Sequence, residues 1–422
     1  MPLVSDPLLP AVEQLLGPGA GPLLATVVEA GGGSLVDFER RHVTYRPGDR
    51  AAVRFRVRVR WGDDVVAEES VVAVTTADGP PDGTLVLSAD DIAVGLFRYP
   101  YDPALPGLPV ATFGDRLEDW LRFGGEPLLE VRSYRPTRRA VVHARWTSST
   151  TGEPVERYVK CVPPAEAAAI EGWLATLRGF APVPVVAEMN HELGMLALEA
   201  LPGRTIRQVL LDDSDDGGAG RDALPGGEAI LELLDRLPRP VAASGRARPG
   251  PIRRAAAHAD LIATVVPGLA PVVATLVHEL WSRELDAPEV IVHGDLYEAQ
   301  ILVADGRVSG LLDLDGAGRG RRVDDLATFL AHLQVLADAV PRRRGTIALY
   351  EARLRPAFEA AVGRSSLAAS TAAALVGLAT GPFRVQQANW PRRVERRVAL
   401  ARRWADVARS DRGTRVAVTG GR

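Results

Sequence analysis

Residues 290–320 read VIVHGDLYEAQILVADGRVSGLLDLDGAGRG, an island of strand-forming residues in an otherwise helical second half of the chain. The segment VIV is typical of a buried strand and HGDLYEAQ of a loop, and ILV and VSGLLDL are typical of two short strands. The Asp-Gly pair between those two strands is a strong hairpin signal. We therefore expect Asp295, Gln300 and Asp313 to meet on the loop and at adjoining strand ends.

The residue types in this island are those that phosphoryl transfer requires. A carboxylate must orient the attacking hydroxyl and accept its proton, and hard oxygen ligands must hold Mg²⁺ on the phosphates of a nucleotide. Asp295 suits the first task, and Gln300 and Asp313 suit the second. A cation that fixes the phosphates must come from elsewhere in the chain.

Lys160 is the candidate for that cation. It is the only lysine among 50 basic Lys and Arg residues, and it lies in the apolar, strand-like run YVKCV. A position that keeps lysine in such a chain indicates a need for a compact ammonium, which the planar guanidinium of arginine cannot replace. The alternative is a lysine that survives by chance.

The composition is that of an ordinary soluble protein. The chain has 422 residues and a mass of 45.1 kDa, with 46% hydrophobic and 24% charged residues, which indicates two or three domains. A net charge of -3 gives no electrostatic footprint for nucleic acid or an anionic membrane. The single cysteine, Cys161, excludes a disulfide framework and is typical of a protein in the reducing cytoplasm.

The sequence predicts no targeting or membrane segment. The beginning, MPLVSDPLLPAVEQLLG, lacks the basic region of a signal peptide. The most apolar stretch, residues 261–276, is shorter than a membrane span and contains Pro267 and Pro271, so it predicts a pair of core helices. We expect a cytoplasmic protein with no membrane or nucleic-acid partner, and nothing in the sequence indicates its oligomeric state.

Two segments of the first half echo each other. YRPGDRAAVRFRVRVRWGDDVVAEESVVAV begins at Tyr45, and YRPTRRAVVHARWTSSTTGEPVERYVKCV begins at Tyr134. Each starts with Tyr-Arg-Pro and a turn and then has two alternating strands, which is the signature of a β-hairpin. The first copy has VVAV at 71–74 opposite VKCV at 159–162, and so has no lysine. The two copies are either unrelated hairpins of similar composition or two related β-lobes, of which only the second handles phosphate.

The island at residues 290–320 and the strand that carries Lys160 resemble the aminoglycoside phosphotransferase and choline kinase superfamily, the small-molecule branch of the protein-kinase-like fold. HGDLYEAQILV is similar to the His-Gly-Asp catalytic loop of that superfamily, and LLDLDGAGRGRRVDDLA to its metal-binding Asp segment. The resemblance is specific over about residues 285–335, weaker over 130–205, and does not extend to residues 1–125.

The resemblance implies an α+β, bilobal, protein-kinase-like fold. It implies a nucleotide-binding N-lobe at residues 126–203 and a helical C-lobe at 204–422, and we expect residues 1–125, which lie outside the resemblance, to form an extra β-rich N-terminal cap. ATP and Mg²⁺ are the implied cofactors, and a small molecule with a hydroxyl group is the implied acceptor. A nucleotide-binding pseudokinase that acts as a regulatory module is the alternative.

The resemblance also implies roles for single residues. Asp295 would be the catalytic base, and Asp313 the principal magnesium ligand, with Gln300 beside it. Lys160 would contact the nucleotide phosphates and pair with an acid of the following helix, either Glu171 or Glu166.

Further implied roles concern binding of the adenine and support of the loops. The segment from Glu199 to Leu201 is similar to the hinge whose backbone meets the adenine, and His293 and Asp325 would be structural. Asp315 would be either a further metal or loop ligand or merely a polar residue.

The sequence departs from the superfamily pattern in two places. Gln300 stands where most members have asparagine, which is similar to the maltokinase and glucosamine-kinase branch, whose members also carry an N-terminal cap. The glycine-rich GxGxxG loop is missing, so SYRPTRRAVV, residues 133–142, must serve the phosphates through its backbone.

A small acceptor, such as a sugar, an amino sugar or an aminoglycoside-like molecule, is favoured over a protein. Only DGAGRGRR separates Leu314 from the helical run at Val323, whereas a protein kinase needs a long activation segment there. GPFRVQQANWP, residues 381–391, offers Arg384, Gln386 and Trp390 for hydrogen bonds and stacking on the acceptor, or is simply a packed turn between helices. The acidic DDSDDGG, residues 212–218, is either an attractor for a cationic acceptor or a solvated loop.

Overall fold

The computed structural model describes residues 4–62, 65–89, 92–212, 224–238, 247–283 and 287–419, the last nine as backbone only. Two β-rich units come first in the chain, and a helical lobe follows them. The α+β class and the β-rich N-terminal sheet are therefore confirmed. The domain boundaries stay a prediction, and the acidic residues 213–218 lie outside the described ranges.

The first unit is a five-stranded antiparallel sheet with two helices on one face. The strand order is β1-β2-β3-β5-β4. Every second side chain of the second strand is fully buried, among them Phe55 and Val57, and these pack with Leu15 and Leu24 of the two helices. The elements are α1 Ala11–Leu16, α2 Ala20–Ala30, β1 Gly33–Arg46, β2 Arg50–Trp61, β3 Val65–Thr76, β4 Leu85–Ala89 and β5 Ile92–Arg98.

The second unit repeats this plan. Two short helices again precede a five-stranded antiparallel sheet, whose order β6-β7-β8-β10-β9 is that of the first sheet. One helix, α5, is added between the third and fourth strands. The elements are α3 Leu108–Thr112, α4 Gly114–Leu121, β6 Leu128–Arg135, β7 Arg139–Thr147, β8 Pro154–Cys161, α5 Pro164–Leu177, β9 Val186–Asn190 and β10 Met195–Glu199.

A buried aspartate anchors the hairpin turn in each unit. Asp6 accepts hydrogen bonds from the Tyr45 hydroxyl and the Gly48 amide, both at 2.8 Å. Asp102 accepts them from the Tyr134 hydroxyl at 3.0 Å and the Thr137 amide at 2.7 Å. Each aspartate begins an Asp-Pro-X-Leu-Pro run, a signal that extends the sequence echo upstream of the hairpins. The repeated contacts and topology favour two related β-lobes.

The two units differ where phosphate chemistry is expected. Thr75 and Cys161 occupy the same register position, because each faces the alanine that pairs with the tyrosine of Tyr-Arg-Pro. Val74 therefore occupies the position of Lys160. The alignment made from the sequence places Val72, two residues earlier, opposite Lys160. The first unit thus has neither the ammonium nor a helix equivalent to α5 within its described residues.

The two sheets pack against each other. The Arg54 guanidinium lies 5.7 Å from the centre of the Tyr134 ring, and the Tyr99 and Tyr134 rings are 5.1 Å apart. Val72 and Phe97 of the first sheet share a hydrophobic core with Val142 of the second. The first unit is thereby held on the face of the second sheet.

The helical lobe contains the sequence island as two small sheets. The predicted hairpin is confirmed as strands β13 and β14, which pair antiparallel. The strands of the lobe are β11 Arg204–Thr205, β12 Glu289–Val292, β13 Ile301–Ala304, β14 Arg307–Leu311 and β15 Gly318–Arg321. The helices are α6 Ile206–Leu211, α7 Gly227–Asp235, α8 Pro251–Val265, α9 Ala270–Trp281, α10 Arg322–Ala339, α11 Arg344–Val362, α12 Arg364–Ala379, α13 Gly381–Arg384 and α14 Trp390–Thr419.

The most apolar segments lie inside this lobe. Residues 261–276 form the end of α8 and the start of α9, joined by a 3₁₀ turn that begins at Pro267, as the prediction of a core helix pair requires. Among the described helices, only Arg364–Arg384 is long and apolar enough to cross a membrane, and 72% of its most apolar window is buried. It packs against α8, α10 and α14.

The Asp102→Ala substitution tests the anchoring aspartate of the second unit. We expect it to lower the free energy of unfolding by about 3 kcal/mol, since each buried donor left without a partner costs roughly 1–3 kcal/mol. Urea denaturation measures the change. Asp78→Ala, at an exposed turn of the first unit, is the matched control and should change stability little. Equal stability of the two variants would contradict the anchoring role.

Candidate active site

The second sheet and the helical lobe meet at Asp313. The buried Lys160 of β8 donates a hydrogen bond from Nζ to Asp313 Oδ1 at 3.2 Å and forms a short ion pair with Asp315. Arg139, the first residue of β7, donates to both oxygens of Asp313, at 2.7 and 2.8 Å. Two cations from the sheet therefore neutralise the carboxylates of the lobe.

These cations control the protonation of Asp313. Burial alone would raise the pKa of its carboxyl group, but the charges of Lys160 and Arg139 and their hydrogen bonds hold that pKa well below its usual range. Asp313 is therefore ionised at any physiological pH. An ionised carboxylate is the form that binds a divalent cation.

The backbone brings Gln300 beside Asp313. The Leu312 amide donates to the Gln300 carbonyl at 2.8 Å, and the Gln300 side-chain nitrogen lies 3.4 Å from Asp313 Oδ2. Asp313 adopts a left-handed conformation with φ 56°, which ends the hairpin strand and turns its side chain into the cleft between the sheet and the lobe. Aspartate tolerates this conformation better than most residues do.

His293 and Asp325 hold the loop that carries Asp295. The fully buried Asp325 carboxylate accepts hydrogen bonds from the amides of His293 at 2.8 Å and Gly294 at 2.9 Å. His293 Nε2 must donate to the Leu312 carbonyl at 2.7 Å, because a carbonyl only accepts. Its Nδ1 then accepts from the Asp295 amide at 3.4 Å, which joins the loop to the Asp313 segment.

Gly294 is required by this geometry. Its φ is +82°, and a Cβ atom there would lie 2.5 Å from the Gly316 carbonyl oxygen. Only glycine fits such a close approach of two loops at positive φ. The His-Gly-Asp order in the sequence thus has a direct structural reason.

Asp295 is the carboxylate that remains available. It is partly exposed and accepts no side-chain hydrogen bond from any residue in the described ranges. Burial lowers the pKa of Arg139, but the charges of Asp313, Asp315 and Asp295 raise it by more. Asp295 therefore lies near the ion pairs of Asp313 and Asp315 but forms no ion pair itself in the described ranges.

The donor set at Asp313 fits Mg²⁺. Asp313 and Asp315 supply carboxylate oxygens, and the amide of Gln300 lies next to them; these are the hard oxygen ligands that magnesium prefers. Lys160 and Arg139 already place positive charge against the same carboxylates. No cluster of three or more His, Cys, Asp or Glu side chains occurs in the described part of the chain, so waters and phosphates would complete the coordination.

The expected pair between Lys160 and a helix acid is not formed. Within the described ranges, neither Glu171 nor Glu166 makes an ion pair with Lys160, whose partners are Asp313 and Asp315. Helix α5 nevertheless packs against the turn Leu314–Gly316 that follows Asp313. The charge of Glu166 on this helix acts on Arg138.

The predicted hinge connects the second sheet to the lobe. The Glu199 amide donates to the Val185 carbonyl at 2.9 Å, and Glu199 itself is exposed. Leu201 lies over Gly310 of the β13–β14 hairpin, and Ser309 donates to the Pro202 carbonyl at 2.7 Å. Contact of this backbone with an adenine stays a prediction.

The segment 381–391 is divided between packing and the cleft. Trp390 is buried, and its ring meets that of Phe383 at 5.1 Å, so it packs between helices. The Gln386 side chain folds back to donate to the Phe383 carbonyl at 2.6 Å. Arg384 alone of the three predicted substrate residues interacts electrostatically with Asp295.

Two arginines of the site were not identified from the sequence. Arg139 lies in the turn that was expected to act through its backbone, and the arginine-rich run in place of glycines was the available signal. Arg248 donates to the Gly316 carbonyl and, at 3.4 Å, to the Asp315 carbonyl. No sequence signal pointed to Arg248, because its partners lie in a distant part of the chain.

The Asp325→Asn substitution tests the support of the loop that carries Asp295. Asparagine keeps one acceptor oxygen and turns an NH₂ group toward a backbone N–H, so we expect a loss of roughly 1–3 kcal/mol in unfolding free energy. Asp305→Asn is the control, because Asp305 is exposed at φ +50°, which asparagine tolerates. Urea denaturation of both variants decides, and a loss no larger than the control's would contradict the loop-holding role.

Several solved structures are similar to this chain. The chain matches a thermostable mutant of aminoglycoside phosphotransferase APH(4)-Ia bound to ADP and hygromycin B, at 18% identity and a TM-score of 0.46, over 71% of this chain and 98% of that one. It also matches the gentamicin complex of APH(2")-IIa, at 10% identity and a TM-score of 0.46, over 68% and 94%.

A third similar structure is macrolide 2'-phosphotransferase MphH from Brachybacterium faecium, at 18% identity and a TM-score of 0.36, over 65% and 92% of the two chains. A search of curated proteins finds no match. The family assignment rests on the family model, which matches residues 144–361, just over half of the chain. The chain therefore belongs to the phosphotransferase enzyme family (APH), in agreement with the resemblance of residues 285–335.

Proposed function

We propose that the chain is a Mg²⁺- and ATP-dependent kinase that phosphorylates a hydroxyl group of a small molecule. The observation that carries this proposal is the division of labour among three aspartates in one cleft. Asp313 and Asp315 are held by cations, whereas the carboxylate of Asp295 is free of side-chain partners in the described ranges. A free carboxylate beside a phosphate-binding cluster suits a base that accepts a hydroxyl proton.

Each residue then has a separate task. Asp295 orients the acceptor hydroxyl and takes its proton as the oxygen bonds to the γ-phosphorus of ATP and ADP leaves. Lys160 and Arg139 exchange part of their contact with Asp313 for phosphate oxygens, and they offset the charge that develops on them. Mg²⁺, when bound, would neutralise the phosphates from the side of Asp313 and Gln300. His293 and Asp325 keep the loop of Asp295 in place.

The acceptor class is proposed from the same cleft. A sugar, an amino sugar or an aminoglycoside-like molecule has the hydroxyl groups that this chemistry requires. The short connection after Asp315 leads straight into β15 and α10, and leaves little room for the segment with which a protein kinase holds a peptide. We place the enzyme in the cytoplasm, where ATP is available and the buried thiol of Cys161 stays reduced.

The Asp295→Asn substitution tests the catalytic base. We expect turnover to fall by roughly 10²–10⁴-fold, the usual contribution of a general base, while nucleotide affinity stays within about twofold. Transfer of labelled γ-phosphate from Mg-ATP to a pooled panel of sugars, sugar acids, sugar phosphates, amino sugars and aminoglycosides is the assay, with products identified by mass. Asp305→Asn serves as the matched control.

Two results of that assay would contradict the proposal. Unchanged turnover in Asp295→Asn would remove Asp295 from the reaction. Binding of Mg-ATP without transfer to any acceptor, in the wild type, would favour the pseudokinase alternative.

The Lys160→Met substitution tests the phosphate contact. Methionine keeps the length and burial of the side chain but removes the ammonium. We expect nucleotide affinity to fall roughly 10–100-fold, the equivalent of one charge-assisted hydrogen bond. Titration calorimetry with ADP and Mg²⁺ measures it, with Arg178→Gln at the exposed end of α5 as the control. Unchanged affinity in Lys160→Met would exclude the phosphate role.

A further inference from the structure

Three arginines near the cleft form no ion pair in the described ranges. This cationic rim consists of Arg135, Arg138 and Arg384. None of the three donates a side-chain hydrogen bond or forms an ion pair with any residue in the described ranges, whereas Arg139 beside them is fully engaged. Unpaired cations close to one another repel, so such a cluster is stabilised when an anion binds.

The hairpin turn of the second sheet supplies two members of the cationic rim. Arg135 pairs directly with Arg139 across the β6–β7 hairpin, so both project from the same face of the sheet. Because Arg139 reaches Asp313 from that face, Arg135 lies on the side of the hairpin that faces the cleft. Arg138 is in the turn between them and is exposed.

The helical lobe and the first unit supply the other wall. Arg384 ends α13, which packs against β1 of the first sheet. His42 of β1 pairs with Arg54 of β2, and the charges of Arg384, Arg54 and Arg135 all act on His42. Burial and these charges lower the pKa of His42 to about 4, so its ring is neutral and leaves the positive charge to the arginines.

The charges that act on Arg384 differ from those that act on Arg139. Burial and the charges of Arg135 and Arg138 lower the pKa of Arg384, and Asp295 is the one site carboxylate that raises it. Burial lowers the pKa of Arg139, whereas Asp313 raises it most, followed by Asp315 and Asp295. In the described ranges, Asp313 and Asp315 are paired with Arg139 and Lys160 and not with Arg384, whose helix α13 packs on β1. Arg384 is therefore left for the acceptor.

Given the proposed function, on which this rests, we infer that the acceptor is anionic. It is a hydroxylated small molecule that carries a carboxylate or phosphate group, which Arg384 and Arg135 bind while its hydroxyl faces Asp295. The guanidinium fork suits carboxylate and phosphate oxygens in particular. A polycationic aminoglycoside would instead bring like charge to the cationic rim.

The experiment compares three acceptor pools at saturating Mg-ATP. The anionic pool contains uronic acids, aldonic acids and sugar phosphates, the neutral pool hexoses and polyols, and the cationic pool amino sugars and aminoglycosides. We expect transfer to members of the anionic pool. Arg384→Gln should raise the acceptor KM roughly 10–100-fold, with the ATP KM within about twofold. Arg135→Gln should act in the same direction, Arg384→Lys should restore much of the loss, and Arg178→Gln should resemble the wild type.

Transfer only to neutral or cationic compounds, unaffected by Arg384→Gln, would overturn the anionic acceptor and leave the proposed function standing. Binding of inorganic phosphate, measured by calorimetry with Mg-ADP already saturating, tests whether the cationic rim binds an anion and does not depend on turnover. Phosphate binding in the wild type and its loss in Arg384→Gln would support the rim, and no binding would overturn it. Failure of the proposed function has a different signature, namely no transfer to any of the three pools, with or without binding of Mg-ADP.

Discussion

The partial burial of the Asp313 carboxylate between the second sheet and the helical lobe is the constraint on which the site depends. A buried carboxylate is stable only when cations and donors surround it, and both cations come from the sheet, Lys160 from β8 and Arg139 from β7. The same interactions therefore neutralise the acid, join the two parts of the chain and place two cations where nucleotide phosphates are expected. The left-handed conformation of Asp313 turns its side chain toward that junction, and the backbone hydrogen bond between Leu312 and Gln300 places Gln300 beside it.

The two β-rich units show what the phosphate chemistry adds to a common scaffold. Both keep the strand order and the aspartate that anchors the hairpin turn, Asp6 in one and Asp102 in the other. Only the second has a lysine in its third strand and the helix α5 after it. The first unit, with Val74 in that position, retains the scaffold, and its strand β1 packs against α13 of the helical lobe.

Much of this was predictable, because local patterns dictate it. The Asp-Gly hairpin and the His-Gly-Asp loop are short-range signals, and the lone lysine was visible as a compositional exception. Long-range partners were not predictable. Lys160 meets Asp313 and Asp315 in place of a helix acid, because contact across the cleft depends on how the sheet and lobe are packed. The sequence could not decide whether Trp390 is buried either, because an aromatic residue in a turn gives the same pattern whether it packs between helices or stacks on an acceptor.

A crystal structure of the full chain with Mg²⁺ and a nonhydrolysable ATP analogue tests the central claim most directly. The account predicts that the phosphates and the metal bind at Asp313 and Gln300, that Lys160 contacts phosphate oxygens, and that Asp295 faces an open space bordered by Arg384. A nucleotide bound elsewhere, or an Asp313 carboxylate still closed by Arg139 and Lys160 with the nucleotide in place, would contradict it.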